Sequence, residues 1–371
     1  MLSGYTTLRL GGPAARFIEA DRDDQIVAAV READRDGEPL LVLGGGSNLV
    51  VADDGFPGTV LHLATSGVSI AAGRDRVTLD VAAGEDWDPL VERCVAEGLS
   101  GIECLSGIPG LAGATPIQNV GAYGQEVAET VVTVRAYDRL RDTVAELANA
   151  DCGFGYRTSA FKRSTGAGDR AGAGRRRAAL DPGAATGRFV VLGVTFRLAR
   201  DPLSAPVRYG ELARALGVGE GGRVPLADAR SAVLTLRRRK GMVLDPADPD
   251  TRSAGSFFTN PVLDRRQFAE VGRRAAARPG HGGEGSVPHF PAADGRVKVP
   301  AAWLIERAGF GKGYPGPGGA RISSKHTLAL TNPGGASTAS LIALAREIRN
   351  GVREAFGVEL VSEPILVGAP L

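Results

Sequence analysis

An α+β fold is predicted from two regularities in the apolar pattern. Residues 14–63 alternate strand and helix spacing in a small unit. Residues 65–200 repeat the mixture with a hairpin and one long alternating strand, and from about residue 205 the chain turns helix-rich. In order, the spacing predicts a strand at Ala15–Ala20, a helix at Asp23–Asp36 with Asp23 as N-cap candidate, and a strand at Pro39–Leu43. A glycine turn follows, then strands at Leu49–Ala52 and Thr59–Leu63. Strands at Val68–Ala71 and Val77–Ala82 lead into a helix from Asp86 to Glu97, which Asp86 or Asp88 would cap. Val131–Tyr137 and Val144–Leu147 form the hairpin, and Phe189–Leu198 is the long strand. Helices are expected at Tyr209–Leu216, Leu226–Arg239, Arg265–Arg278 and Ala301–Ala308. Another spans Ser337–Phe356, with Leu341, Leu344, Ile348, Val352 and Phe356 on one face. A strand from Val358 to Val367 closes the pattern.

A chain of 371 residues has room for two or three domains and a sizeable core. It is 43% apolar and 23% charged, with mean hydropathy near zero, which is globular composition. A formal charge of +2 makes no case for nucleic acid or a membrane surface, and 5% aromatic content leaves little for base stacking. No apolar run approaches the ~20 residues of a membrane helix. The start, MLSGYTTLRLGG, lacks the basic-then-apolar order of a secretory signal, so the cytoplasm is expected. Cys94, Cys104 and Cys152 show no metal spacing and are expected as buried reduced thiols. None of the four histidines forms a His-x-x-x-His pair, so no catalytic zinc is expected.

The chemistry is expected around Gly101–Gly124, which packs six glycines and two prolines into one window. Glycine permits positive φ and close backbone approach, and consecutive N–H groups in such turns make concave nests for phosphate. A second cluster, Leu43, Gly44, Gly45, Gly46, Ser47 and Asn48, is expected to share the same ligand. A single such cluster is often an ordinary surface loop; two, each entered from an apolar run, favour a diphosphate cradle. A Rossmann fingerprint fits poorly, because Leu49-Val50-Val51 continues as strand where that motif needs a helix N-terminus. Residues 162–188 break the pattern. They hold seven arginines and lysines against two aspartates without apolar periodicity, and read as a mobile loop or, less simply, as a basic patch for an anion.

Taken together, these signatures resemble the UDP-N-acetylenolpyruvoylglucosamine reductase family of bacterial cell-wall flavoenzymes. The matching pieces run in order along nearly the whole chain. They are Thr6–Gly12, Leu43–Val51, Gly107-Ile108-Pro109-Gly110, and Gly113-Ala114-Thr115 through Asn119, Gly121, Ala122 and Gly124. Tyr156–Lys162, Ala254–Pro261, Trp303–Glu306 and Glu363 complete the series. The Tyr209–Leu212 segment resembles the form of the family with an extra substrate-domain loop. The resemblance implies a vanillyl-alcohol-oxidase-type FAD-binding domain of two subdomains plus an α+β substrate-binding domain. It also implies non-covalent FAD and NADPH as hydride donor. Reduced flavin would then pass hydride to the terminal enol-ether carbon of UDP-N-acetylglucosamine enolpyruvate, giving UDP-N-acetylmuramate for peptidoglycan synthesis.

That reaction piles negative charge on the adjacent carbon and its carboxylate. Arg157, at the family's catalytic position in Tyr-Arg-x-Ser, suits it, since a guanidinium grips a carboxylate through two parallel hydrogen bonds. Ser256 matches the family's proton donor, and Glu363 matches its catalytic glutamate, orienting the carboxylate or serving as partner acid. The glycine loops would offer backbone donors to the FAD diphosphate, with Asn48, Thr115 and Asn119 completing the hydrogen bonds. Arg237 is expected to face the flavin. Tyr209 and Lys240 match contacts to the sugar-nucleotide diphosphate, and Asn260 is a further substrate candidate. Thr259 stands where the family commonly has lysine, and Phe290 where relatives have a tyrosine. Pro364 is expected to end regular strand pairing after Glu363.

The expected division is residues 1–64 and 65–204 as FAD-binding subdomains and 205–315 as substrate domain. Residues 316–371 are expected to return to the FAD portion. Two alternatives stay open. One is an oxidase on the same flavin fold with flavin attached through a histidine, for which His62 is the only candidate before residue 281. The other is a non-catalytic flavin-binding protein.

Overall fold

The computed structural model describes residues 1–163, 186–278, 287–292 and 295–371. Most of the basic 162–188 segment therefore lies outside the described residues. The chain forms two compact units: a larger one from Ala14–Gly46 and Phe56–Val243, and a smaller one from Met1–Pro13, Ser47–Gly55 and Leu244–Leu371.

The larger unit begins with a parallel three-stranded sheet, in the order Ala14–Ala20, Phe56–Leu63, Leu40–Leu43. The helix Asp23–Asp36 links the outer two strands and buries Ile26, Val27, Val30 and Ala33. Asp23 is its first residue rather than its cap; Arg22 holds the N-cap position without a side-chain bond, and Gly37 ends the helix at φ 70°. A second, mainly antiparallel sheet has the order Thr143–Ala148, Val131–Asp138, Phe189–Arg200, Arg76–Ala82, Val68–Ala72. Both sheets and the helix Trp87–Ala96 share one core containing Leu61, Leu79, Trp87, Tyr137 and Phe196. A fully buried side chain of this size contributes roughly 1.5–3 kcal/mol. The three cysteines are free and buried, and burial pushes the thiols of Cys94 and Cys104 up to about 12 and that of Cys152 up to about 11.

The two compact units are drawn differently from the expected division at three places. Residues 205–243 belong to the larger unit, because Val207, Leu212, Val233 and Leu236 bury themselves with Cys104. Residues 316–371 join 244–315 in one body, since Leu341, Ile348, Val352 and Phe356 of the helix Thr338–Phe356 share a core with Phe257, Leu304 and Ile322. The stretches 1–13 and 47–55 join that same unit, where Asp53 accepts hydrogen bonds from the amides of Thr338 and Ala339. A carboxylate suits that position because the first turn of a helix leaves its N–H groups unpaired.

The expected long strand at Val358–Val367 is also corrected. Ser362 forms an isolated bridge with Phe258, and only Ile365–Val367 is regular strand, running parallel to Leu49–Val51. Pro364 marks the change of partner, for it has no N–H to continue the first ladder.

Candidate active site

In the larger unit the two glycine clusters touch. A Cβ on Gly45 would sit 2.8 Å from Gly110 Cα, so two backbones approach where no side chain fits. Among the described residues, the amides of Gly44, Gly45 and Gly46 have no acceptor. The later stretch differs. Gly113 N–H donates to Ala83 O, Ala114 to Leu111 O, Thr115 to Ala112 O and Asn119 to Pro116 O. Gly107 N–H donates to Asp88 Oδ1 at 2.6 Å. Burial opposes the charge on Asp88, but hydrogen bonds from Arg230 and this amide outweigh it and hold the carboxyl below its ordinary range. Asp88 therefore clamps the cradle rather than capping the helix, and Asp86 occupies the N-cap position.

Thr115 and Asn119, expected at the cofactor, are buried, and their polar groups bond within the protein. Thr115 Oγ1 donates to Ala112 O at 2.8 Å. Asn119 Nδ2 donates to Glu126 Oε2 and to Gly155 O, and its Oδ1 accepts from Ala128 N–H. The Gly155 bond fastens the turn that carries Arg157. That turn is closed by reciprocal bonds between Gly155 and Thr158, and Ser159 Oγ ties it to Ile117 O.

Arg157 itself has φ 53°, an uncommon value for a side-chain-bearing residue and one that concentrates at functional sites. Its Nη2 donates to Gly121 O at 2.8 Å, and a Cβ on Gly121 would come 3.2 Å from its Nη1. Ala122, Tyr123, Gly124 and Gln125 make a two-residue hairpin turn with Tyr123 at φ 49° and Gly124 at φ 85°.

Beside this turn stands the end of the helix Leu226–Arg239. Arg237 Nη2 donates to Gly107 O and Met242 O, while its Nε is shielded from solvent and has no partner among the described residues. Burial pushes this guanidinium down to about 10, so it stays charged at pH 7. Lys240 Nζ binds Glu211 Oε2 at 2.6 Å and lies 5.7 Å from the centre of the Tyr123 ring. Tyr209, exposed, packs edge-on against Tyr123 at 5.5 Å. Asp88, Arg230, Tyr123 and Glu211 were not singled out as site residues from sequence. Spacing alone gives no signal that a carboxylate on one helix meets a glycine amide 19 positions away.

The smaller unit brings Ser256 and Glu363 together. Ser256 ends the strand Ser253–Ser256, which pairs with Ala329–Thr331. The next carbonyl, Phe257 O, accepts the Glu363 amide at 2.8 Å. Gly255 has φ 72° and open space around its missing Cβ. Asn260 Oδ1 accepts the Ala301 amide at 2.8 Å, capping the helix Ala301–Arg307, so its oxygen is engaged. Thr259 bonds back to Val361, and Phe290 is exposed. His62 Nδ1 meets Glu19 Oε2 at 3.1 Å across adjacent parallel strands.

Among the described residues, amides at Gly44–Gly46 without an acceptor, a backbone contact with no room for a Cβ and a buried Arg237 Nε without a partner fit an anionic dinucleotide. Residues 14–145 match the model of an FAD binding domain, and the fold and site define an FAD-dependent oxidoreductase. Residues 246–367 match the C-terminal domain of UDP-N-acetylenolpyruvoylglucosamine reductase. The chain is 58% identical to the enzyme of that name from Thermobifida fusca, covering 100% of this chain and 97% of the relative. It is 57% identical to that from Salinispora arenicola, covering 100% and 95%. The chain belongs to the UDP-N-acetylenolpyruvoylglucosamine reductase family. The crystal structure of UDP-N-acetylenolpyruvylglucosamine reductase from Thermus caldophilus shares the fold, with a TM-score of 0.58 at 24% identity over 99% of this chain and 97% of that one. No helix among the described residues is long and apolar enough to cross a membrane.

Proposed function

We propose that this chain reduces UDP-N-acetylglucosamine enolpyruvate to UDP-N-acetylmuramate in the cytoplasm, with NADPH as electron source. Arg157, Ser256 and Glu363 are its catalytic residues. The supporting observation is the hydrogen bond from Glu363 N–H to Phe257 O, which seats two residues more than a hundred positions apart at neighbouring places on paired backbone. FAD, when bound, supplies the hydride transfer.

The chain's own residues do the rest. Gly44, Gly45 and Gly46 hold the diphosphate through backbone N–H groups. Arg157, fixed by its turn and by Gly121 O, holds the substrate carboxylate and offsets the charge that grows on it. Ser256 gives its hydroxyl proton to the carbon next to that carboxylate. Glu363 orients the carboxylate.

Rapid-mixing absorbance tests the assignment. In Ser256→Ala, NADPH bleaches the flavin at the wild-type rate, whereas recovery of the colour with the enolpyruvyl sugar nucleotide slows about 10²–10⁴-fold. Wild-type recovery in this variant removes Ser256 from the mechanism. NADPH consumption that ignores the sugar nucleotide removes the whole reading. Heating or acid releases free FAD; flavin that stays on the chain turns the assignment toward an oxidase with covalent cofactor.

A further inference from the structure

The residues around Lys240 carry one feature that the reaction does not account for. Two cations, Arg237 and Lys240, stand at the end of the helix Leu226–Arg239, near the Tyr123 ring and the exposed Tyr209. Lys240 and the two phenols make a phosphate-binding set in their chemistry, an ammonium with two hydroxyl donors. Burial first, and then nearby Glu211 and Tyr209, push the Tyr123 hydroxyl up to about 12 against the opposing pull of Arg237, so it remains a neutral donor. Within this set Glu211 Oε2 holds Lys240 Nζ at 2.6 Å. Both side chains are about one-third exposed, so solvent and ligand reach the pair.

We propose that Glu211 is a specificity-determining residue that competes with the substrate diphosphate for Lys240. The proposal rests on the reading of Lys240 as a diphosphate contact. A phosphate oxygen arriving at Nζ meets a carboxylate already there, and two anions at one ammonium repel each other. Binding therefore requires the Glu211 carboxylate to give way. Monoanionic ligands gain too little from Lys240 to displace it, whereas a diphosphate, whose second phosphate also reaches the phenols, gains enough. Glu211 thereby raises the substrate KM and sharpens the preference for diphosphates. As a positioning residue it leaves the hydride and proton steps untouched.

Kinetics on the FAD-loaded enzyme test this. Glu211→Gln keeps the size and removes the charge; the KM for the enolpyruvyl sugar nucleotide falls about two- to fivefold with kcat unchanged, on the scale of a part-exposed ion pair. Inorganic pyrophosphate, used as a competitive inhibitor, tightens by a similar factor. Glu211→Asp withdraws the carboxylate by one methylene and gives a smaller shift in the same direction, with flavin absorbance and melting temperature as in the wild type. A KM that is unchanged or raised in both variants overturns the proposal and makes Glu211 an orienting partner of Lys240. Lys240→Ala separates the two readings. If it raises the KM while the Glu211 variants do nothing, only the competition fails; if it leaves the KM unchanged, Lys240 does not hold the diphosphate and the underlying reading fails with it.

Discussion

The two glycine clusters look alike in sequence and do different work. At Gly44–Gly46 the amides have no acceptor among the described residues, and Gly45 is glycine because Gly110 backbone lies against it. In Gly101–Gly124 most amides are already paired, and the glycines serve packing. Gly113 lies against Ala83, where a Cβ would come 2.5 Å from the neighbouring Cβ, and Gly121 makes room for Arg157. A glycine-rich stretch can thus mean donors held open for a ligand or backbone pressed against backbone. Only the hydrogen-bond partners separate the two.

Substitutions can break that contrast. The largest effect is expected from Gly45→Ala, where the backbones must part. An overpacking cost of about 1–3 kcal/mol weakens FAD affinity about ten- to hundredfold, read by flavin titration. If the protein stays as yellow as wild type, the first cluster is not the diphosphate site. Next comes Gly121→Ala, which pushes on Arg157 Nη1 and on Glu126. On the role proposed for Arg157, kcat drops about tenfold or more while FAD stays bound, because a misplaced catalytic group is costly at small displacements. Equal loss of flavin and kcat would return Gly121 to the cofactor.

Asn119→Ala removes three hydrogen bonds from a buried side chain, and a loss of about 1–3 kcal/mol in chemical denaturation is expected, with FAD affinity kept. A colourless variant of unchanged stability would place Asn119 at the cofactor after all. The smallest effect concerns pH. Asp88 has a folded pKa below its unfolded value near ~3.9, so its contribution is present above that pH and fades as pH falls through the folded value. Asp88→Asn should therefore melt lower than wild type at neutral pH, with the gap closing below about pH 4. A constant gap across that range would mean that the Asp88 charge plays no part in holding Gly107.

Much of the fold was legible in advance, because local rules decided it. The helices Asp23–Asp36 and Leu226–Arg239 fall where apolar spacing places them, and the helix Thr338–Phe356 has the Ser337 capping box and the Gly357 stop that such signals describe. The illegible parts depended on partners distant in sequence. Residues 205–243 read as the start of a new domain because a shift to helices resembles a boundary; the Asp88–Arg230 pair that binds them to the preceding unit leaves no local trace. Short polar side chains in a glycine loop suit phosphate and internal loop bonds equally well, so the bonds that Thr115 and Asn119 make inside the protein could not be read from their residue types. Arg157 could be marked by its motif, but its positive φ and its contact with Gly121 exist only in the folded chain.

The strand Ile365–Val367 lies beside Leu49–Val51, and Glu363 sits two residues ahead of it. The two strands lie far apart in sequence and pair within the smaller unit. That ladder and the Glu363 N–H bond to Phe257 O together set the backbone at Glu363, so its place depends on two segments far from it in sequence.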